Sequence, residues 1–140
     1  MPARRFVIVA VALFASLGAS CDRSPSEPSG PVNLQVELAP GQSASIAGTN
    51  LSIRFERVVS DSRCPGDAIC ISAGEAVVAV QVLSGATAAG RYEVRTDPPA
   101  RRRAAHGDLT IELTRLDPYP FLSRPFPPSD YRAHLRVSRP

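Results

Sequence analysis

Lysine and tryptophan are absent from this 140-residue chain, methionine occurs once and histidine only twice. The missing lysine reads as the codon bias of a GC-rich genome, not as function. Two histidines leave little material for a nucleophile paired with a base. No G-x-S-x-G elbow is present, and the glycines are scattered one to a turn with no phosphate cradle. An excess of one charge is missing as well. Of the 16 Lys+Arg, Arg4 and Arg5 lie in the leader described below, which leaves 14 against 13 Asp+Glu, a net of +1. So balanced a surface sets up no strong field for nucleic-acid phosphate, and no nucleic-acid partner is expected. Aromatics make up 6% and charged residues 21%, and 14 prolines suit a compact, loop-rich domain better than long helices.

Long apolar runs are also lacking, with one exception. Residues 6–17 (FVIVAVALFASL) carry no charge, follow Arg4 and Arg5, and precede Gly18, Ala19 and Ser20. A basic start, a short apolar stretch and a small-residue cleavage site form the pattern of a secretory signal. Twelve residues at about 1.5 Å each are too few to cross a ~30 Å hydrocarbon core. The segment Leu17-Gly18-Ala19-Ser20-Cys21 resembles the bacterial lipobox, although Gly18 stands where leucine is usual. The resemblance implies a signal over residues 1–20, a lipid on Cys21 and an extracytoplasmic protein held on a membrane by its acyl chains. Asp22 resembles the inner-membrane retention signal of some Gram-negative lipoproteins. Cleavage near Ser20 to a soluble secreted form is the other reading.

Three cysteines are an odd number for an exported protein. With Cys21 acylated, Cys64 and Cys70 remain as a pair across a Pro65-Gly66 turn, and a structural disulfide is expected in an oxidising compartment. The C-x5-C spacing differs from the C-x-x-C of redox pairs, and a zinc site needs two further ligands. Asp61, Asp67 and Glu75 lack EF-hand spacing and read as turn-capping carboxylates. No metal or cofactor is expected.

Residues 22–31 (DRSPSEPSGP) hold no apolar side chain, so residues 21–31 read as a lipidated cysteine with a tether of at most ~35 Å. From Val32 onward the apolar period is two. Val32, Leu34, Val36 and Leu38 alternate with polar residues, as do Leu51, Ile53 and Phe55, Leu109, Ile111 and Leu113, and Ala133, Leu135 and Val137. Residues 75–83 (EAVVAVQVL) are apolar on both faces, as in a central strand. With 42–46 and the Tyr92–Val94 alternation, about seven short strands emerge over residues 32–140. They predict an all-β antiparallel sandwich, or a small barrel, since alternation does not distinguish the two.

Two segments break the period. Residues 97–105 contain Arg101, Arg102 and Arg103 and read as a solvated loop, with contact to an anionic surface as the other reading. Residues 117–128 (DPYPFLSRPFPP) hold too many prolines for a central strand. Their aromatics either cap one end of the sandwich or form an exposed patch, for which Tyr119, Phe121 and Phe126 are the candidate partner contacts. His134 falls on the outward face of the last strand between Arg132 and Arg136, and His106 lies in a turn before Asp108.

The stretch Asp61-Ser62-Arg63-Cys64-Pro65, then Cys70 and Ala73-Gly74, then Pro118-Tyr119-Pro120, resembles a group of small exported bacterial proteins of uncharacterised function, most of them lipoprotein-like. Ser72 departs from the group, which tends to have a large aromatic there. The resemblance implies the disulfide and the all-β domain, and brings no activity with it. The expected function is therefore a membrane-anchored binding module without catalysis. The alternative is an inhibitor of a protease or similar enzyme that uses rigid loops as a wedge.

Overall fold

A computed structural model describes residues 30–140 of the chain; the expected signal over residues 1–20 and Cys21 lie outside the described residues. Eight strands form two four-stranded antiparallel sheets: β1 Val32–Leu38, β2 Ser43–Ser45, β3 Leu51–Asp61, β4 Ala76–Ser84, β5 Thr87–Arg95, β6 Arg103–His106, β7 Leu109–Asp117 and β8 Arg132–Arg139. One sheet runs β1-β8-β7-β6 and the other β2-β3-β4-β5. Sequential strands are therefore neighbours all the way round, with β8 returning to pair β1. Hydrogen bonding stops at two seams, between β1 and β2 and between β5 and β6, which makes two stacked sheets where closure would have made a barrel. At one seam Tyr92 Oη meets His106 Nδ1 at 2.8 Å.

The core follows from the period of two. Ile53, Phe55, Val78, Val80, Val82 and Val94 from one sheet face Ile111, Leu113, Leu135 and Val137 from the other, all fully buried. Within β4, Val77 and Ala79 are buried on the opposite face too. Both sit beside long side chains in register, Ala79 opposite Arg57 and Glu93, Val77 opposite Arg95.

The strand absent from the seven-strand expectation is β6. Residues 103–106 (RAAH) offer only two alanines to a core, so no apolar alternation marks them. They pair instead through register with Leu109–Glu112, across the turn at Gly107-Asp108. Arg103 therefore lies in a strand and not in a loop, with its guanidinium 3.1 Å from Glu112. Arg102 Nε donates to the Thr96 carbonyl at 2.7 Å, so the arginine triplet does not stand free as a unit.

Candidate functional site

The strand directions divide the connections between two poles. Tight turns at 85–86 and 107–108, the turn at 46–50, Gly30 and the C-terminus share one pole, where Arg139 reaches both the Gly30 carbonyl (3.0 Å) and Asp108 (3.1 Å). The three long connections, residues 62–75, 96–102 and 118–131, share the other. The described residues thus begin at the plain pole, with the elaborate pole at the far end of the sandwich.

Arg63 organises the elaborate pole. It is the one buried charged residue among those described, 8% exposed. Its Nε and Nη2 donate to the two oxygens of Asp61 at 2.9 and 2.6 Å. Nη1 and Nη2 also donate to the carbonyls of Leu116 (2.8 Å) and Pro118 (2.9 Å), and the guanidinium lies 5.2 Å from the Tyr119 ring centre. Those carbonyls lie beyond the point where β6 stops pairing with β7. A planar five-donor fork can serve a carboxylate and two carbonyls at once, which an ammonium group cannot do in one plane.

Tyr131 Oη donates to Asp61 Oδ2 at 3.0 Å, so the end of β3 and the residue before β8 meet at one carboxylate, and Arg63 joins β7 to it. Burial raises the Asp61 pKa, but the hydrogen bonds and charge of Arg63, with the Tyr131 hydroxyl, outweigh it and hold the carboxyl below its ordinary 3.8. Tyr131 is pushed up to about 12 by burial and then by the negative charge and hydrogen bond of Asp61.

Cys64 and Cys70 are joined, with Cα atoms 5.9 Å apart. The loop they close is pinned at further points. Cys64 N–H donates to Ala73 O (2.7 Å) and Gly66 N–H to Pro120 O (2.9 Å). Asp67 accepts the backbone N–H groups of Leu122 (2.7 Å) and Ser123 (2.9 Å), Ser123 first among the causes that lower its pKa. Asp61 and Asp67 thus fasten neighbouring loops. The Phe121 ring rests on Gly66, where an added Cβ would stand 2.7 Å from Cε1. Gly74 closes the loop at φ +65°, so near the Ser62 carbonyl that a Cβ would lie 1.7 Å from its oxygen.

Tyr119, Phe121 and Phe126 come together as one lining of an open cleft of about 560 Å³, which they share with Asp117, Arg124 and Asp130. Tyr119 is 48% exposed, while Phe121 and Phe126 are half-buried. Phe121 meets Tyr119 edge-to-face at 6.3 Å and carries the Arg124 guanidinium at 4.7 Å; Phe126 meets Tyr131 at 5.1 Å. The aromatics therefore both fasten the Pro-rich loop and border a concave surface. A second cleft of about 350 Å³ opens beside Arg63, Arg102, Leu113 and Leu116.

The largest apolar exposures at this pole flank Cys70 and sit in the Pro-rich loop; the Cys64–Cys70 loop is a candidate contact from sequence, but Ile69 and Ile71 are not singled out there. Ile69 and Ile71, on either side of Cys70, are 104% and 109% exposed, and Leu122 is 70% exposed. The run 68–74 (AICISAG) has no charge, and this was the available signal.

The histidines stand apart from this pole's centre and from each other. His134 Nε2 lies 2.8 Å from Asp117, 3.1 Å from Arg115 and 3.6 Å from Glu37. Among the described residues neither ring nitrogen bonds a serine, threonine or cysteine side chain. Set against protein-family models, curated proteins and solved structures, the chain matches none of them.

Proposed function

We propose that this chain is an exported protein, anchored to a membrane through lipid on Cys21, that binds a protein partner through its elaborate pole and carries out no catalysis. The observation that carries this reading is the division of labour between the poles. The three long connections, the aromatic-lined cleft and the exposed large apolar side chains gather at the end away from Gly30. Binding residues concentrate on loops held by a rigid scaffold, and here the scaffold includes a disulfide and a buried arginine. Tyr119, with Phe121 and Phe126 behind it, forms the concave part of the contact surface.

Mass spectrometry of the mature N-terminus, with fractionation of wild type and Cys21→Ser, tests the anchor. Acylated, membrane-bound protein that turns soluble on substitution is expected. Full-length, uncleaved chain in the cytosol with Cys64 and Cys70 free to alkylate would end the proposal. Cross-linking of membranes, with Phe121→Ala and Phe126→Ala as controls, tests the binding pole.

A second reading draws on the pinned loop. A loop already ordered before contact loses little entropy on binding, and Ile69 and Ile71 stand fully exposed on it. This suits an enzyme inhibitor. Stoichiometric inhibition of an endopeptidase with aliphatic preference by the purified chain would favour it; ordinary cleavage of the 69–71 segment would remove it.

A further inference from the structure

Ile69 and Ile71 have no role in the fold. Both are as open as in an isolated peptide, whereas every other isoleucine among the described residues is buried. Exposed β-branched apolar side chains lose the stabilisation that burial brings, and flanking serine and alanine, with no charge from 68 to 74, leave the knob without a polar screen. Flexibility does not account for the exposure either. The disulfide, the Cys64–Ala73 and Gly66–Pro120 backbone bonds and the Asp67 caps hold the base of the loop.

We propose that Ile69 and Ile71 are anchor side chains that enter a narrow apolar cleft on a protein standing away from the anchoring membrane. The knob is convex, small and uncharged, so its complement is concave and apolar. The tether favours protein over bilayer, because a relaxed linker of ten residues reaches only about 17 Å. Residues 22–31 join the domain at Gly30, beside Arg139 and Asp108. Strand β8 alone puts about 27 Å, at ~3.4 Å per residue, between that pole and the knob. With the tether relaxed, a membrane beneath it meets the plain pole first. A second copy of the chain would bring an equally convex knob to the same point.

This inference rests on the anchored-binder reading and extends it to a side-chain pair outside the aromatic cleft. A photoreactive benzophenone side chain is placed at position 69, 71 or, on the plain pole, 33, in the full-length chain in the cell that produces it. One discrete protein adduct from 69 and 71, absent from 33, is expected. That protein, once purified, is titrated with wild-type chain and with the Ile69→Ser, Ile71→Ser double variant. A Kd raised roughly 100-fold or more is expected, since two buried aliphatic anchors are lost. The unfolding midpoint stays unchanged, because neither side chain packs in the fold.

Adducts with phospholipid, adducts with the chain itself, no discrete adduct, or an unchanged Kd would each overturn the proposal. The two readings fail separately: the mass of the mature N-terminus decides the anchor, and the adducts at 69 and 71 decide the knob.

Discussion

The two poles of the sandwich solve the problem of ending a sheet in opposite ways. At the plain pole the strands turn in two to five residues, and the Arg139–Asp108 pair sits with Asp108 largely in solvent. At the elaborate pole three long connections interlock around Arg63 and Asp61, whose side chains are 7% and 11% exposed. The contrast teaches that stability and specificity are spread unequally in a domain this small. Loops that bulge from a scaffold need their own internal order, and here it comes from one buried ion pair, one disulfide and two close-approach glycines.

The contrast breaks most sharply at the ion pair. Asp61→Ala strands a buried guanidinium and is expected to destabilise the domain by about 3–5 kcal/mol in urea unfolding. Asp108→Ala removes a carboxylate that is 67% exposed, and the Arg139 guanidinium, itself 9% exposed, keeps the Gly30 carbonyl, so a smaller cost of about 1–2 kcal/mol is expected. Equal effects would erase the difference between the poles.

Glycine gives the next largest contrast. Gly74→Ala meets the Ser62 carbonyl and a positive φ together, and is expected to cost about 3 kcal/mol. Gly85→Ala has a φ of +59° but open space around it, and about 1 kcal/mol is expected. Replacing Cys64 and Cys70 by serine is expected to cost about 2 kcal/mol for so short a loop, measured by the same unfolding curve with and without reductant.

Acid and alkali sharpen the comparison with the smallest effects. Asp61 and Asp67 have folded pKa values below 3.8, so their contribution is complete above that value and is lost as pH falls through and below it. Tyr131 has a folded value of about 12 against 10.0, so its contribution is complete below pH 10 and is lost as pH rises toward 12. Unfolding of the Asp61→Asn variant should show a flatter acid limb than wild type.

Much of the fold is legible in the sequence. Alternation in residues 32–38, 51–55, 109–113 and 133–137 placed the core positions, because one sheet face is dry and the other wet. The Cys64–Cys70 link was legible because Pro65-Gly66 bends the chain back within six residues. Strand β6 was not, because two alanines carry too little apolar contrast to register a period; the Gly107-Asp108 turn ahead of Leu109 was its trace. The partners of Arg63 were not legible either. They lie 53 and 55 positions away, and only the antiparallel path of the strands brings them within reach. At the candidate site the aromatics were named in advance, but their grouping into one cleft and the exposure of Ile69 and Ile71 follow from how loops dock, which local pattern does not encode.

Arg63 has one more consequence. A sheet margin with unclaimed carbonyls invites a stranger's backbone to zip on, and such recruitment seeds aggregates. By spending its guanidinium on Leu116 and Pro118, the protein plugs the margin of β7 with a side chain that cannot be extended into another strand. The same residue that ties the loops together thereby keeps neighbouring molecules from stacking onto the sheet.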